Sequence, residues 1–155
     1  MTEISPISQR FKLYFYEKFT SYAILRSRKE GFFMAILAFI LTFIVMIEHI
    51  YIMILEMFFA NTKLAAKTFG VEKELLANKK VQTLFANQGL YNGFLAAGLV
   101  WGLFFAGAGF AETVQIFFLS CVVVAALFGG ATSSKGILVK QGLPAVLALV
   151  AVLLV

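Results

Sequence analysis

Three ionisable residues, Glu48, His49 and Glu56, lie inside the apolar run 34–60. An α-helix rises about 1.5 Å per residue and a bilayer core is about 30 Å thick, so about twenty apolar residues cross it. The run exceeds this length, which predicts a membrane span. Ionisable side chains at that depth are costly and usually mark a functional site. Carboxyl and imidazole groups exchange protons and bind cations, so these residues are the first candidates for chemistry.

The composition of the chain supports its assignment to membrane proteins. Of its 155 residues, 61% are hydrophobic and 14% are charged, whereas an average soluble domain has about a quarter charged residues. The single cysteine, Cys121, lies in an apolar run, so there is no disulfide framework. No zinc-ligand spacing, phosphate-binding loop or nucleotide fingerprint occurs, and we predict neither a metal site nor a cofactor. The net charge of +5 comes from residues that flank the spans, so we do not expect nucleic acid as a partner.

Four apolar segments predict an all-α, four-helix transmembrane bundle. We place the spans at about 34–60, 87–110, 114–130 and 137–155, within a single membrane domain of residues 34–155. Only the connection between spans one and two is long enough to hold structure of its own. Its apolar residues recur with helical spacing over 71–84, with lysines between them. This pattern predicts a short amphipathic helix at the membrane surface, with a solvated linker as the alternative.

Polar residues of different spans are predicted to gather in one half of the bundle. The end of span one, the start of span two, the end of span three and the start of span four all lie on the same membrane side. His49 and Glu56 are seven residues apart, so they share a helical face about 10 Å apart along it. We therefore predict a buried polar pocket whose candidate residues are Glu48, His49, Tyr51, Glu56, Asn87, Gln88, Tyr91, Asn92, Lys140 and Gln141.

Each member of this pocket also has a purely structural interpretation. Asn and Gln in spans commonly join helices by hydrogen bonds worth about 1 kcal/mol each, which applies to Gln88 and Asn92. Lys140 lies near the interface, so its side chain can extend to water. His49 is the only histidine of the chain, and without a second imidazole we expect no metal site there. Our geometric prediction is that Glu56 lies within direct or one-water reach of Lys140, Gln88 or Asn92, with His49 one to two turns deeper.

Span two has the sequence of a closely packed helix. Gly89 and Gly93, and then Gly98 and Gly102, are each spaced by four residues. Small residues at this spacing allow helix backbones to approach closely. The pattern predicts either a tight hairpin with span three or a homodimer interface. In span four, Pro144 lacks a backbone donor and is predicted to disturb the helix beside Lys140.

The distribution of lysines predicts the orientation of the 34–155 domain. Lysines follow span one and flank the start of span four, whereas the turn after span two has none; they are Lys63, Lys67, Lys73, Lys79, Lys80, Lys135 and Lys140. Positively charged loops stay on the cytoplasmic side. We therefore expect a multi-pass protein of the inner, cytoplasmic membrane of a bacterium, with both termini of this domain outside.

The basic extension 1–33 conflicts with that orientation. It places positive residues directly before span one, namely Arg10, Lys12, Lys18, Arg26, Arg28 and Lys29. The stretch Lys29-Glu30-Gly31 can be encoded by a bacterial ribosome-binding sequence, and Met34 follows closely. We therefore favour a translation start at Met34 and a non-native extension. The alternative is a basic interfacial helix with Phe11, Phe15, Phe19 and Tyr22 on one face.

Three sequence blocks resemble the signature of a known family. They are Glu48-His49-Ile50-Tyr51-Ile52 with Leu55-Glu56-Met57-Phe58, then Asn87-Gln88-Gly89-Leu90-Tyr91-Asn92-Gly93-Phe94, and finally Gln141-Gly142-Leu143-Pro144-Ala145. In this order they are similar to the family called domain of unknown function 1304, whose members are small four-span bacterial membrane proteins. The resemblance covers about residues 34–155. It implies a shared fold and a shared polar site, but no known activity.

Three functional classes remain open from the sequence. In the first, the protein is a proton-coupled carrier or exporter in which Glu48 or Glu56 alternates between a proton and a small apolar or cationic ligand. In the second, it is a membrane-embedded enzyme, with His49 and Glu56 as an acid–base pair acting on a lipid or other apolar substrate. In the third, the polar residues only hold helices together in an interaction subunit. The lipid bilayer is the expected surrounding in each case, and the first class predicts a homodimer.

Overall fold

The structure is a computed structural model that describes the backbone of residues 6–107 and 109–155 and the side chains of residues 28–107 and 109–155. Within these ranges every regular element is helical and no strand occurs. The predicted all-α fold class is therefore confirmed, and the long apolar helices fit a helical membrane bundle.

Seven α-helices and two π-helical turns follow one another along the described chain. The α-helices are α1 (Pro6–Phe58), α2 (Lys63–Phe69), α3 (Lys73–Leu76), α4 (Lys79–Val100), α5 (Ala111–Thr132), α6 (Lys135–Ile137) and α7 (Leu143–Leu153). The first π turn, Trp101–Phe105, continues α4, and the second π turn, Leu138–Gly142, joins α6 to α7.

Three stretches of the described chain are long and apolar enough to cross a membrane. They are Arg28–Phe58, Ala111–Thr132 and Lys135–Leu153, which contain most of predicted spans one, three and four. Predicted span two corresponds to α4 with the first π turn, but this stretch is not among them. Its hydropathy is lowered by Asn87, Gln88 and Asn92, which are among the polar residues predicted to form the pocket. The total of four spans therefore stays a prediction.

The first helix extends far beyond the predicted span one. α1 begins at Pro6 and continues without a break to Phe58. The side chains of Phe11, Phe15, Phe19 and Tyr22, which the alternative interpretation of this extension places on one interfacial face, lie outside the described residues. Residues 28–33 are exposed, and the first buried core residue of α1 in the described chain is Ala38.

We expect a chain that begins at Met34 to insert, fold and keep its thermal stability, because the described core of α1 starts beyond that point. The measurement compares membrane accumulation and thermal unfolding in detergent for the full and shortened chains. Loss of membrane accumulation on removal of residues 1–33 would show that the extension belongs to the folded protein.

The apolar core lies between α1, α4, α5 and α7. α1 packs against α4 and α7, while α5 packs against α4 and α7. Leu99, Leu119 and Val122 are buried at the centre of the cluster. α7 contributes Ala145, Ala148 and Ala151, and these small side chains allow neighbouring backbones to approach closely.

A second, smaller cluster holds the segment between α1 and α4 against the end of α1. Leu55 of α1 is buried with Ala65 of α2 and Leu76 of α3. Thr62 caps α2 by accepting a hydrogen bond from the backbone N–H of Ala65 at 3.2 Å. We call residues 61–78 the α2–α3 cap. Because it contributes buried residues to this cluster, the alternative of a solvated linker does not describe it.

The predicted single helix over 71–84 is wrong in its bounds. α3 ends at Leu76, and α4 begins at Lys79. Between them Asn78 adopts an extended conformation and accepts a hydrogen bond from the backbone N–H of Lys80 at 2.9 Å. An asparagine in this role starts a new helix, so the apolar pattern is divided between α3 and the first turns of α4.

The four glycines of α4 and the first π turn divide between two neighbouring helices. A Cβ atom added to Gly89 or Gly93 would meet Met57 or Met53 of α1, whereas one added to Gly98 or Gly102 would meet Phe118 or Gln115 of α5. The contacts of Gly98 and Gly102 correspond to the predicted hairpin with span three. Gly89 and Gly93 instead let α1 approach α4.

We expect Gly98→Ala to lower the free energy of unfolding by about 1–3 kcal/mol, because the added methyl group would overlap the ring of Phe118. Gly107→Ala is the control, since no described atom lies within 4 Å of its added methyl group. The measurement is denaturant unfolding in detergent micelles. Equal stability of the two variants would contradict the close approach of α4 and α5.

Candidate functional site

One face of α1 carries three buried polar side chains at intervals of seven residues. Thr42, His49 and Glu56 are 0%, 1% and 6% exposed. Two helical turns separate successive members, so all three lie on one side of the helix. The apolar residues between them, among them Val45 and Ile52, are buried on the same side. The face that buries α1 in the bundle is therefore the face that carries these polar groups.

Glu56 is held by a residue of α4. The Asn92 Nδ2 group donates a hydrogen bond to Glu56 Oε2 at 2.8 Å, and a second, longer one to the Gln88 carbonyl at 3.3 Å. A Cβ atom on Gly89 would lie 3.0 Å from the Glu56 Cβ. The missing side chain thus lets α1 and α4 approach until the amide reaches the carboxyl group. The predicted proximity of Glu56 to one of its three candidate partners is confirmed for Asn92.

No positive charge balances this carboxyl group within the described part of the chain. Neither Glu56 nor Glu48 forms an ion pair there, and the hydrogen-bond partner of Glu56 is a neutral amide. A buried carboxylate without a counter-charge is strongly disfavoured, so a proton or a cation must neutralise it. The arrangement is therefore suited to binding one or the other.

His49 lies deeper than Glu56 and is oriented by its own helix. Its Nδ1 lies 2.9 Å from the Val45 carbonyl oxygen, which can only accept a hydrogen bond. Nδ1 is therefore the donor, and in the neutral ring Nε2 is left as an acceptor. His49 is almost completely buried, as predicted, but it forms no hydrogen bond with Glu56 in the described structure.

Most of the other predicted pocket residues are not buried, and none of them forms a side-chain hydrogen bond with Glu56 in the described chain. Asn87, Gln88, Tyr91 and Lys140 are exposed, as is Tyr51, while Glu48 and Gln141 are half-buried. Lys140 forms no ion pair with a described residue. It belongs to the second π turn, which packs against α5 and α7. Of the three alternative partners predicted for Glu56, Lys140 therefore does not form an ion pair with it in the described chain.

Two buried polar residues were not identified from the sequence. Thr42 is buried and its hydroxyl has no hydrogen-bond partner in the described chain. Gln115 Nε2 donates to the carbonyls of Gly102 and Ala111, each at 3.3 Å, and so ties α5 to the first π turn. The signal for Thr42 was its position seven residues before His49. For Gln115, the signal was an amide side chain within an otherwise apolar span.

The second π turn ends at Gly142, two residues before Pro144. The backbone N–H of Leu143 bonds to the Leu138 carbonyl, five residues earlier, which is the wide register of a π turn. Proline has no N–H for the carbonyl four residues before it, and here that carbonyl belongs to Lys140. The predicted disturbance of the helix beside Lys140 thus takes the form of a widened turn.

Comparisons with known proteins identify the family of this chain. The model of the family "Protein of unknown function (DUF1304)" matches residues 43–153, which include Glu48, His49, Glu56 and Asn92. The Uncharacterized protein YpaA of Lactococcus lactis subsp. lactis (strain IL1403) is 43% identical over 117 residues, which are 76% of this chain and 97% of that protein. No solved structure matches the chain. The chain therefore belongs to the DUF1304 family of proteins of unknown function.

Proposed function

We propose that this protein is a proton-coupled carrier or exporter of small apolar or cationic molecules in a bacterial membrane, with Glu56 as the exchanging group. The observation that carries the proposal is the environment of the Glu56 side chain. It is 6% exposed, and its hydrogen-bond partner in the described chain is the neutral amide of Asn92. A carboxyl group that served only to join helices would not need its charge, and an amide could replace it.

The charge balance at Glu56 gives a mechanism of exchange. In one state the carboxyl group carries a proton and is neutral. In the other state the proton has left, and a cationic ligand supplies the compensating charge. A proton and a cation bound at the same time would leave a net positive charge at this buried position, which is disfavoured. The proton and the cation therefore compete for the same carboxyl oxygen atoms. Competition of this kind couples the movement of one to the opposite movement of the other.

Asn92 has a constant role in both states. Its Nδ2 group donates to one carboxyl oxygen, Oε2, at 2.8 Å, and an amide donor fits a carboxylate as well as the carbonyl oxygen of a carboxylic acid. The other oxygen, Oε1, remains available for the exchanging proton or cation. The amide therefore fixes the position of the carboxyl group without neutralising it.

The location of Glu56 favours access from the lysine-rich side of the bundle. Glu56 lies two residues before the end of α1 at Phe58. Its neighbour Leu55 is covered by the α2–α3 cap, whose lysines, Lys63, Lys67 and Lys73, are exposed. A cap that rests on a small apolar cluster can move at lower cost than the main core, since little buried apolar surface holds it. Its movement would open or close the path to the carboxyl group.

The enzymatic alternative gains no specific support. An acid–base pair must reach the same reacting group, within hydrogen-bond distance or through one water. His49 and Glu56 are two helical turns apart, about 10 Å along the axis, and the imidazole Nδ1 is engaged with Val45. The carrier proposal needs only Glu56 to exchange, so it requires less rearrangement.

The test uses purified full-length protein in liposomes with an acidic lumen. Ethidium, a permanently charged organic cation, is added outside, and its uptake is followed by fluorescence. We expect protein-dependent uptake that stops when a proton ionophore collapses the gradient, together with a matching alkalinisation reported by an entrapped pH dye. Uptake that is insensitive to the gradient, or equal to that of protein-free liposomes, would contradict this carrier function with ethidium as the cation.

A further inference from the structure

Glu48 and Tyr51, two ionisable side chains in the second half of α1, have no partner in the described chain. Glu48 is half-buried and Tyr51 is 46% exposed, and neither forms a hydrogen bond or an ion pair there. Glu48 lies ten residues before the end of α1 at Phe58, which is about 15 Å along the axis. That is about half of a 30 Å hydrocarbon core. A carboxyl and a phenol are therefore without partners at a depth where water does not supply them.

The helices that pack on α1 do not provide these partners. Met53 of α1 faces α4, because a Cβ on Gly93 would lie 2.8 Å from its sulfur atom. Successive helical residues are rotated by about 100°, so Glu48 lies about 140° away from Met53 around the helix. The other main neighbour of α1 is α7. Its sequence, LPAVLALVAVL, contains no polar side chain.

Glu48 and Tyr51 belong to a stripe of α1 that the single chain covers only in part, since Leu41 packs against the edge of the apolar core while Ile44 and Tyr51 are exposed. Its members are Leu37, Leu41, Ile44, Glu48 and Tyr51, none of which is buried. We call these residues the outer stripe. Their separations alternate between four and three residues, the spacing that keeps one side of a helix turned toward a second, parallel helix. Lipid can cover the three apolar members, but it satisfies neither the carboxyl group nor the phenol.

We propose that a second copy of this chain covers the outer stripe, and that Glu48 and Tyr51 of both copies complete one another in a single hydrogen-bonded cluster. A two-fold axis along the membrane normal places identical residues at the same depth on either side of the interface. Each Tyr51 hydroxyl then donates to a Glu48 carboxyl group of the other copy. Each carboxyl group keeps its proton in this cluster, because a carboxylate without a counter-charge is strongly disfavoured at this depth.

This interface is separate from the Glu56 site. Glu48 and Glu56 are eight residues apart, which rotates them about 80° from one another and separates them by about 12 Å along the axis. The inference therefore does not depend on the proposed carrier function. It would hold equally for a protein that transports nothing.

Cysteine cross-linking in membranes tests the location of the interface. In a Cys121→Ser background, Ile44→Cys places a thiol on the outer stripe, and Val124→Cys places one on the exposed side of α5, also in the middle of its helix. We expect a short bifunctional thiol reagent to give dimers with Ile44→Cys and monomers with Val124→Cys at low protein density. Dimers with Val124→Cys alone would overturn the proposal, as would monomers with both variants.

Single-molecule photobleaching in liposomes, over a range of protein-to-lipid ratios, tests the role of the polar cluster. We expect Glu48→Leu to raise the protein density at half-dimerisation at least about tenfold, and Tyr51→Phe, which removes a single hydroxyl, about threefold. Glu48→Gln should stay close to the unmodified chain, because its amide still forms hydrogen bonds across the interface. If Glu48→Leu and Tyr51→Phe both dimerise like the unmodified chain, the cluster does not exist.

Discussion

Glu56→Gln should reduce gradient-driven ethidium uptake to the level of protein-free liposomes while leaving the bundle folded. Glutamine has the size and shape of glutamate, and its carbonyl oxygen can accept the hydrogen bond that Asn92 Nδ2 now donates to Oε2. The fold therefore keeps this contact between α1 and α4. The amide has no acidic proton to release and no negative charge to balance a cation, so we expect exchange at this position to stop.

The control for this variant is Glu112→Gln. Glu112 is exposed in the first turn of α5, so its replacement removes the same charge from a solvated position. We expect normal uptake for this variant, and thermal unfolding of both variants close to that of the unmodified protein. Uptake that persists in Glu56→Gln would exclude Glu56 as the exchanging group. Loss of uptake in both variants would point to a general charge effect.

The membrane fold could be predicted because hydropathy has a direct physical cause. The requirement to satisfy backbone groups in lipid leaves helices as the choice for apolar runs of this length. The same reasoning predicted that the end of α1 lies near the start of α4, because successive spans cross the membrane in opposite directions. The contact of Glu56 with Asn92 follows from this alternation, together with the glycines that let the two helices meet.

The choice among candidate partners of Glu56 could not be predicted. Gln88, Asn92 and Lys140 were predicted to lie on one membrane side, but the rotation of each helix about its axis decides which of them faces Glu56. For α4 that rotation follows from the packing of Gly89 and Gly93 against α1. For the last span it depends on the second π turn, where a widened register shifts the side chains that follow. Neither effect can be read from hydropathy.

The bounds of the α2–α3 cap were missed for a different reason. The apolar spacing over 71–84 is compatible with one helix, and only the local competition of Asn78 for backbone hydrogen bonds divides it. Leu76 is fully buried against Leu55 and Ala65. That tertiary contact fixes α3 against the end of α1, and propensity alone gives no sign of it.

Asn92→Leu should destabilise the bundle, and by more in alkaline than in acidic buffer. In acidic buffer Glu56 carries a proton, and loss of an interhelical hydrogen bond costs about 1 kcal/mol. In alkaline buffer the carboxylate loses a charge-assisted donor and is left buried without a partner, which costs about 3 kcal/mol. The destabilisation therefore grows as the pH rises. The measurement is the free energy of unfolding in detergent in each buffer.

The double variant Glu56→Leu with Asn92→Leu separates this effect from a change in packing. When both polar groups are replaced by apolar ones, no buried group is left unsatisfied, and we expect most of the stability lost in Asn92→Leu to return in alkaline buffer. Asn87→Leu is the control on the same helix, since Asn87 is exposed and should change the stability little. The proposed coupling between Asn92 and the carboxyl group would be contradicted if Asn92→Leu lowered the free energy of unfolding by the same amount in both buffers, and also in a chain that already carries Glu56→Leu. In that case the two residues would act as independent packing elements, and exchange of a proton at Glu56 would lose its structural basis.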